Sequence, residues 1–202
     1  LCLPLDQLWE CTRKSIKSLI NKAKNTYEIV VMDYQSANKE LFDVYRLLHR
    51  KSAGRVTRPI ESFNAQFKQI ETDCGMLIGI RYQGQWVGCT TFLHSSESVV
   101  YESAATDPDI VDLPVPFGHL IHWEAIQYYH SRQFRFYEMG WQQFGPQLYD
   151  YPSQKEIQIS FFKRALGGKT VPVFRGTKYY DATVLAEDIE TQKQRLIAEY
   201  KF

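Results

Sequence analysis

Apolar positions recur along this chain with two periods, and the switches between them divide it into elements. Ile29 to Tyr34 reads as a first strand. Leu41, Val44, Tyr45 and Leu48 then fall at three- and four-residue steps, as do Phe63, Phe67 and Ile70, predicting helices over 39–52 and 60–73. Between them Gly54, Arg55, Arg58 and Pro59 mark a loop whose arginines are expected to be solvated. From Gly75 the runs shorten: residues 76–83 and 86–95 flank a Gly84-Gln85 turn as a hairpin, and Ser98 to Thr106 adds another strand. After a loop over 107–116, Phe117, Leu120, Ile121, Ala125 and Tyr128 return to helical spacing and give one side able to pack on a sheet. His119, His122, Gln127 and His130 take other directions.

Phe134 to Trp141 is short, aromatic-rich and closed by Gly140, which predicts a buried strand reaching the edge of a core. Gln158, Phe162, Ala165 and Leu166 favour a helix ending at Gly167-Gly168, although 156–161 alternates polar and apolar residues and is locally compatible with an extended segment. A strand over 171–174 follows, then a charged helix from Val184 to Tyr200 with Leu185, Ile189 and Leu196 on one side. At the other end, Trp9, Ile16, Leu19, Ile20 and Ala23 oppose Arg13, Lys14, Lys17, Lys22 and Lys24, the pattern of a basic amphipathic helix. The organisation expected is a basic helical segment over 1–27, one α/β (α+β) domain over 28–183 with a mixed, mainly antiparallel sheet flanked by helices, and a C-terminal helix over 184–202.

Composition narrows the functions. With 24 basic and 23 acidic residues and a net charge of +1, nothing drives the whole chain toward nucleic acid or an anionic membrane, so any tRNA or phosphate contact has to be local. Cys2, Cys11, Cys74 and Cys89 have neither metal-ligand spacing nor the density of a disulfide framework, which points to a reduced, cytoplasmic setting. No run approaches the ~18 apolar residues of a membrane span. The chain opens on Leu1 rather than methionine, and a processed product or a fragment is expected.

Residues 75 to 180 resemble the C-terminal GNAT-like half of the Fem-type aminoacyl and peptidyl transferases and their BioF2-like acetyltransferase relatives. The stretches that carry the likeness are GMLIGIRYQGQWVGCTTFL, YESAATDP, LIHWEAIQYYHSRQFRFYEMGW and, most specifically, FFKRALGG followed by VPVF. The order of elements is also that of a GNAT fold. Relatives of this kind carry two such halves, so the resemblance implies either a homodimer or a missing second half. It also implies an acyl donor, acetyl-CoA or aminoacyl-tRNA, and an amine acceptor, with no metal. KSLINKAK followed by YEIVVMDY is similar to the Arg-rich helix and strand that precede the family's C-terminal half, with Lys17 where arginine is frequent. A lysine meets a phosphate as a point charge without the bidentate fork.

The chemistry expected from these residues is acyl or aminoacyl transfer to an amine without a covalent intermediate. Lys163 matches the lysine that the resemblance assigns to stabilising charge at the reacting acyl group, a sound use of an ammonium in a dry cleft. Arg13 and Lys17 would hold an anionic group. Glu138, expected to be buried and therefore raised in pKa, is the leading general base; a pairing with Arg135 is the plainer reading, and Glu102, Asp107, His119 and His122 are alternatives. Trp141 and Tyr149, in an aromatic loop with Phe144 and Tyr151, would cover an acyl chain or stack on a base; packing over the protein's own core is the plainer reading. The stretch LPVPFGHL, where a coenzyme A pyrophosphate loop belongs, has one glycine and two prolines that lack N–H donors. Two other readings remain open: a standard acetyl-CoA-dependent N-acetyltransferase, and a GNAT-like module that binds without catalysing.

Overall fold

Five strands pair in chain order in the computed structural model, which describes residues 1–110, 112–147 and 149–200. Strands β1 (Glu28–Met32), β2 (Gly75–Tyr82), β3 (Gln85–Ser95) and β4 (Ser98–Thr106) run antiparallel to their neighbours, and β5 (Phe136–Glu138) joins β4 in parallel. This is the mixed, mainly antiparallel sheet expected. Gln83 and Gly84 turn the β2–β3 hairpin with φ of 51° and 79°, the left-handed pair that matches strand twist. Val111, Leu148 and the last two residues of the helix expected over 184–202 lie outside the described residues.

The chain divides into two compact units, the first Leu1–Gly140. In it, α3 (Lys39–Ala53) starts where Asn38 Oδ1 accepts the Leu41 N–H and stops at left-handed Gly54; α4 (Ile60–Glu71) begins after Pro59. Both cover the sheet face that carries Leu77, Cys89 and Ala105, with Phe42, Tyr45, Leu48, Phe63 and Ile70 filling the space. Enclosing one such side chain as completely as Phe42 contributes about 1.5–3 kcal/mol. Helix α5 (Gly118–Ser131) takes the other face, where Phe92 meets His122 and Tyr129 at ring separations of 6.0 and 6.4 Å.

Helix α5 is enclosed on more than the one expected side: His119, His122, Trp123 and Ile126 are buried as well. The reason lies at the chain's start. The basic segment forms two helices, α1 (Leu5–Cys11) and α2 (Lys14–Lys24), broken where Thr12 and Arg13 turn extended. Both reach α5, Trp9 stacking on Trp123 at 4.6 Å and Lys24 pairing with Glu124 at 3.5 Å. Two glycines are fixed by close packing: a Cβ on Gly88 would sit 2.6 Å from the Phe117 ring, and one on Gly79 would sit 2.5 Å from that of Trp86.

The second unit, from Trp141 onward, is mostly helix. Helix α6 (Gln154–Arg164) starts earlier than the apolar spacing suggests, because Ser153 and Glu156 form a reciprocal capping box that also rules out an extended 156–161. Helix α7 (Ala182–Tyr200) starts where Asp181 Oδ1 accepts the Thr183 and Val184 N–H groups. Of its apolar side, Leu185 and Ile189 are exposed, and the buried residue is Gln192. Residues 171–174 are not a strand. Val171, Val173 and Phe174 are exposed, and Pro172 has no N–H to donate to a ladder. The strand expected from Phe134 to Trp141 shrinks to Phe136–Glu138, with Phe136 and Glu138 exposed, since only three residues of β4 pair with it.

Candidate active site

Strand β4 has nine residues, and β5 pairs with only the first three of them, Ser98 to Val100. From Glu102 to Thr106 no strand covers its outer edge among the described residues, which leaves main-chain polar groups without a strand partner. At the start of that stretch the strand bulges. Thr91 pairs with Ser103 and Phe92 with Tyr101, so Glu102 is the extra residue. Its effect is visible in the side chains: Ala105 packs under α3 and α4, while Tyr101, four residues earlier, packs on the α5 side, a reversal that regular alternation forbids.

On the α5 side the bulge delivers Tyr101 to an aromatic cluster. Its ring stands edge-on to His122 at 4.8 Å, and His122 Nδ1 lies 2.7 Å from the Tyr137 hydroxyl. Burial holds the Tyr101 and Tyr137 phenols above their ordinary pKa, so both stay neutral donors. On the other side Glu102 stands in a half-buried group. Arg58 Nη1 is 3.7 Å from its carboxylate, and Arg58 Nη2 donates to the Tyr45 hydroxyl at 2.9 Å while its guanidinium covers Phe63 at 4.4 Å. Glu102 Oε2 and Arg58 Nε are buried without hydrogen-bond partners, so this group holds unsatisfied polar atoms that a reacting ligand could complete.

Past the edge of β4, Lys51 bridges Asp107 at 2.5 Å and Asp109 at 2.8 Å and holds Asp107 below the usual carboxylate range, which occupies it as an anchor. The following loop is pinned by Tyr27, whose hydroxyl donates to the Val115 carbonyl, and by Phe117 on Gly88. The loop leads into α5 without a side-chain cap. With Pro114 and Pro116 lacking N–H groups, it offers a pyrophosphate the dipole of a 14-residue helix but not a glycine-rich cradle, and coenzyme A does not fit it in the usual way.

The other expected site residues are spread through the chain. Arg13, exposed, is the N-cap of α2, and Lys17 lies one turn on, paired with Glu10 at 2.9 Å and 5.8 Å from the Trp9 ring. Glu138 ends β5 exposed, and Arg135 pairs with Glu97 at 2.8 Å instead, so both the burial and the pairing expected for Glu138 are corrected. In the second unit Lys163 occupies the last turn of α6, where partial burial holds it below the ordinary lysine value. Trp141 is 61% exposed with the Arg175 guanidinium over its ring at 5.0 Å, and the Tyr149 hydroxyl is 3.3 Å from that of Tyr179. Cys89 is fully buried and its thiol is pushed up to about 12, which removes it as a nucleophile. Among the described residues no cluster of three or more His, Cys, Asp or Glu could hold a metal ion.

Residues 11–151 match the family model described as acetyltransferase (GNAT) domain. The chain belongs to that GNAT family. Solved structures share the GNAT architecture. FemX superposes with a TM-score of 0.61 at 12% identity, over 82% of this chain and 56% of its own. L-PGS from Bacillus licheniformis gives 0.53 at 12%, over 90% and 59%. An aminoglycoside acetyltransferase from an uncultured soil metagenomic sample, solved with sisomicin, gives 0.51 at 14%, over 77% and 99%. At these identities the likeness is one of fold, and this GNAT chain spans little more than half of FemX. No curated protein sequence matches it. No helix among the described residues is long and apolar enough to cross a membrane.

Proposed function

We propose that this GNAT chain transfers an acyl or aminoacyl group directly to an amine, with the reaction at the uncovered edge of β4. The observation that carries the reading is Glu102, brought by a bulge to the start of that edge, half-buried and with one carboxylate oxygen unsatisfied. Membership of the GNAT family and the FemX-like fold support the reaction class. In this mechanism the acyl carbonyl lies along β4, whose main-chain N–H groups orient it; the Glu102 carboxylate takes the proton as the amine attacks the carbonyl carbon, and the amide forms as the bond to the donor breaks, the donor leaving as a thiol or a ribose hydroxyl that carries that proton away. Glu102 displaces Glu138 as the favoured base because Glu138 is exposed. Lys163 keeps the role that the family resemblance implies, an ammonium that stabilises negative charge at an acyl group: its partial desolvation leaves it less screened by water, which strengthens its field on such a charge. Arg13 and Lys17 are assigned to an anionic part of the donor, and Trp141 and Tyr149 to its apolar or aromatic part.

The donor is acetyl-CoA or an aminoacyl-tRNA, and the loop with Pro114 and Pro116 favours the second. The domain division into 1–27, 28–183 and 184–202 and a pairing with a second GNAT-like half, in the same chain or as a homodimer, belong to the same reading. The deciding assay incubates the chain with each donor and a panel of amines and detects N-acylated product by mass. Product from either donor, lost in Glu102→Gln, supports the reading; no product from either donor overturns it.

A further inference from the structure

Arg58, the partner of Glu102, also lines a solvent-facing cleft of about 210 Å³ formed by α3, α4 and their connector. Arg46, His49 and Arg50 come from one helical stretch of α3 at three- and four-residue steps. Val56, Thr57 and Arg58 come from the connector, and Ile60 and Phe63 from the start of α4. The lining contains three guanidinium groups and no carboxylate. Two of the lining arginines meet acids from outside the cleft. Asp43 takes both Arg46 and Lys39 at 3.0 Å, and Glu102 stands 3.7 Å from Arg58. Arg50 makes no ion pair among the described residues, so positive charge exceeds negative along this wall. His49 Nδ1 lies 3.4 Å from the Thr57 hydroxyl, and burial together with the Arg58 charge holds the ring below the ordinary histidine value, leaving it neutral beside the arginines.

Such a lining discriminates by chemistry. Guanidinium forks match the planar or tetrahedral oxygens of carboxylate and phosphate, and a hydroxyl and a neutral imidazole add hydrogen bonds to the same oxygens. Its volume is below the roughly 300–1,000 Å³ of clefts that enclose drug-sized ligands. That suits a single anionic head group better than a nucleotide or an acyl chain. Arg58 belongs to both the cleft and the Glu102 group, so an anion bound here is separated from that carboxylate by one shared guanidinium.

We propose that the α3–α4 cleft binds the oxyanion of a small acceptor, a phosphate or a carboxylate, and thereby brings the acceptor's amine to Glu102. The cleft as an oxyanion site stands alone; its assignment to the acceptor rests on the proposed acyl transfer. The site is partly solvated, so binding weakens as salt rises.

The test is calorimetric titration of the whole chain with inorganic phosphate and with acetate at constant ionic strength, for wild type, Arg50→Gln and Arg46→Gln/Arg50→Gln. Arg50 is exposed, and Asp43 keeps Lys39 when Arg46 is replaced, so both variants are expected to melt as wild type does. Saturable binding of one anion, weakened at least tenfold in the double variant, is the expected result, and whichever anion binds identifies the head group. Equal affinity in wild type and double variant overturns the site, as does the absence of saturable binding of both anions. A parallel transfer assay compares phosphoethanolamine, γ-aminobutyrate and ethanolamine. A KM for the matching anionic amine that rises in the double variant while kcat holds supports the acceptor role. Anion binding with no transfer to any amine keeps the oxyanion site and overturns its assignment to an acceptor, and transfer without anion binding overturns the site while leaving the acyltransferase reading intact.

Discussion

The two units hold their shape by different means. In residues 1–140 the two central strands, β2 and β3, bury most of their length: Met76, Leu77, Ile78, Ile80, Cys89 and Phe92 have no exposed surface, and helices close both sides. From Trp141 onward, Trp141, Phe144, Phe161, Phe174 and Tyr180 are all more than half exposed. Order there comes from polar and cationic contacts. The Ser153–Glu156 box starts α6, Ser160 Oγ accepts the Gln143 N–H at 2.8 Å, Arg164 covers Phe144 at 4.4 Å, and Tyr151 donates to the Gln192 carbonyl at 3.1 Å. A packed sheet over-determines where its side chains point, whereas capped helices with single stacks open at lower cost. The proposed base therefore stands on the stiffer support, and the proposed oxyanion-stabilising lysine on the more yielding one.

The largest effect that tests this contrast is expected from Glu102→Gln. Removing a general base lowers the transfer rate by about 10²–10⁴-fold, with the fold kept. The same change at exposed Glu138 should alter the rate by no more than a few fold, and steady-state kinetics of the pair that came out reversed would return the base to β5. Next is Lys163→Met, expected to lower kcat by about 10²–10³-fold, the range for losing one oxyanion-stabilising group. A clear fall in melting temperature would make the lysine structural.

Gly88→Val drives side-chain atoms into the Phe117 ring, and overpacking of this kind is expected to cost about 1–3 kcal/mol by denaturant unfolding. It should also loosen the loop before α5. Mild acid sharpens the comparison further, since all five histidines lie at or before His130. Burial is the first cause that holds His94 and His49 below the ordinary value, so the unfolded chain binds their protons more readily than the folded one. Stability is then full above about pH 6.5 and falls as pH drops below it. His94 is fixed as its neutral Nε2–H form, donating to the Asp73 carbonyl at 2.9 Å and accepting from Tyr129 at 3.0 Å. Thermal melts over this range should lose the slope in part in His94→Gln. The smallest effect is expected from Phe174→Ser, where a 93% exposed side chain changes unfolding free energy by within about 0.5 kcal/mol.

Several elements were legible because their signals are local. Gly54 and Pro59 separate α3 from α4, and Gly84 marks the hairpin, whose turn falls at Gln83-Gly84, one residue before the expected Gly84-Gln85; the Ser-x-x-Glu of 153–156, which the apolar spacing passes over, starts α6. Other expectations read the right residues in the wrong surroundings. Phe136 and Glu138 alternate like a buried strand, and Val171, Val173 and Phe174 have strand propensity, yet a strand needs a partner along its length, and that partner is set by distant residues. Nothing near Thr12 announces that the basic amphipathic pattern would split into α1 and α2.

The candidate site was legible as a list of residue types and not as an arrangement. Glu102 and Arg58 could be singled out one at a time, but no spacing between residues 58 and 102 reveals that they meet. By itself the sequence determined the helices from α3 onward and the hairpin, the succession of strands along the chain up to β4, and the scarcity of glycine in the loop before α5, since each follows from periodicity, turn chemistry or the absence of an N–H. Only the tertiary structure decided that β5 stops at its third residue, that the extra residue at Glu102 puts Tyr101 and Ala105 on opposite sides of the sheet, and that three arginines line one cleft. Register, bulges and the burial of charge depend on which remote strand or helix supplies the other surface, and a linear pattern does not contain that surface.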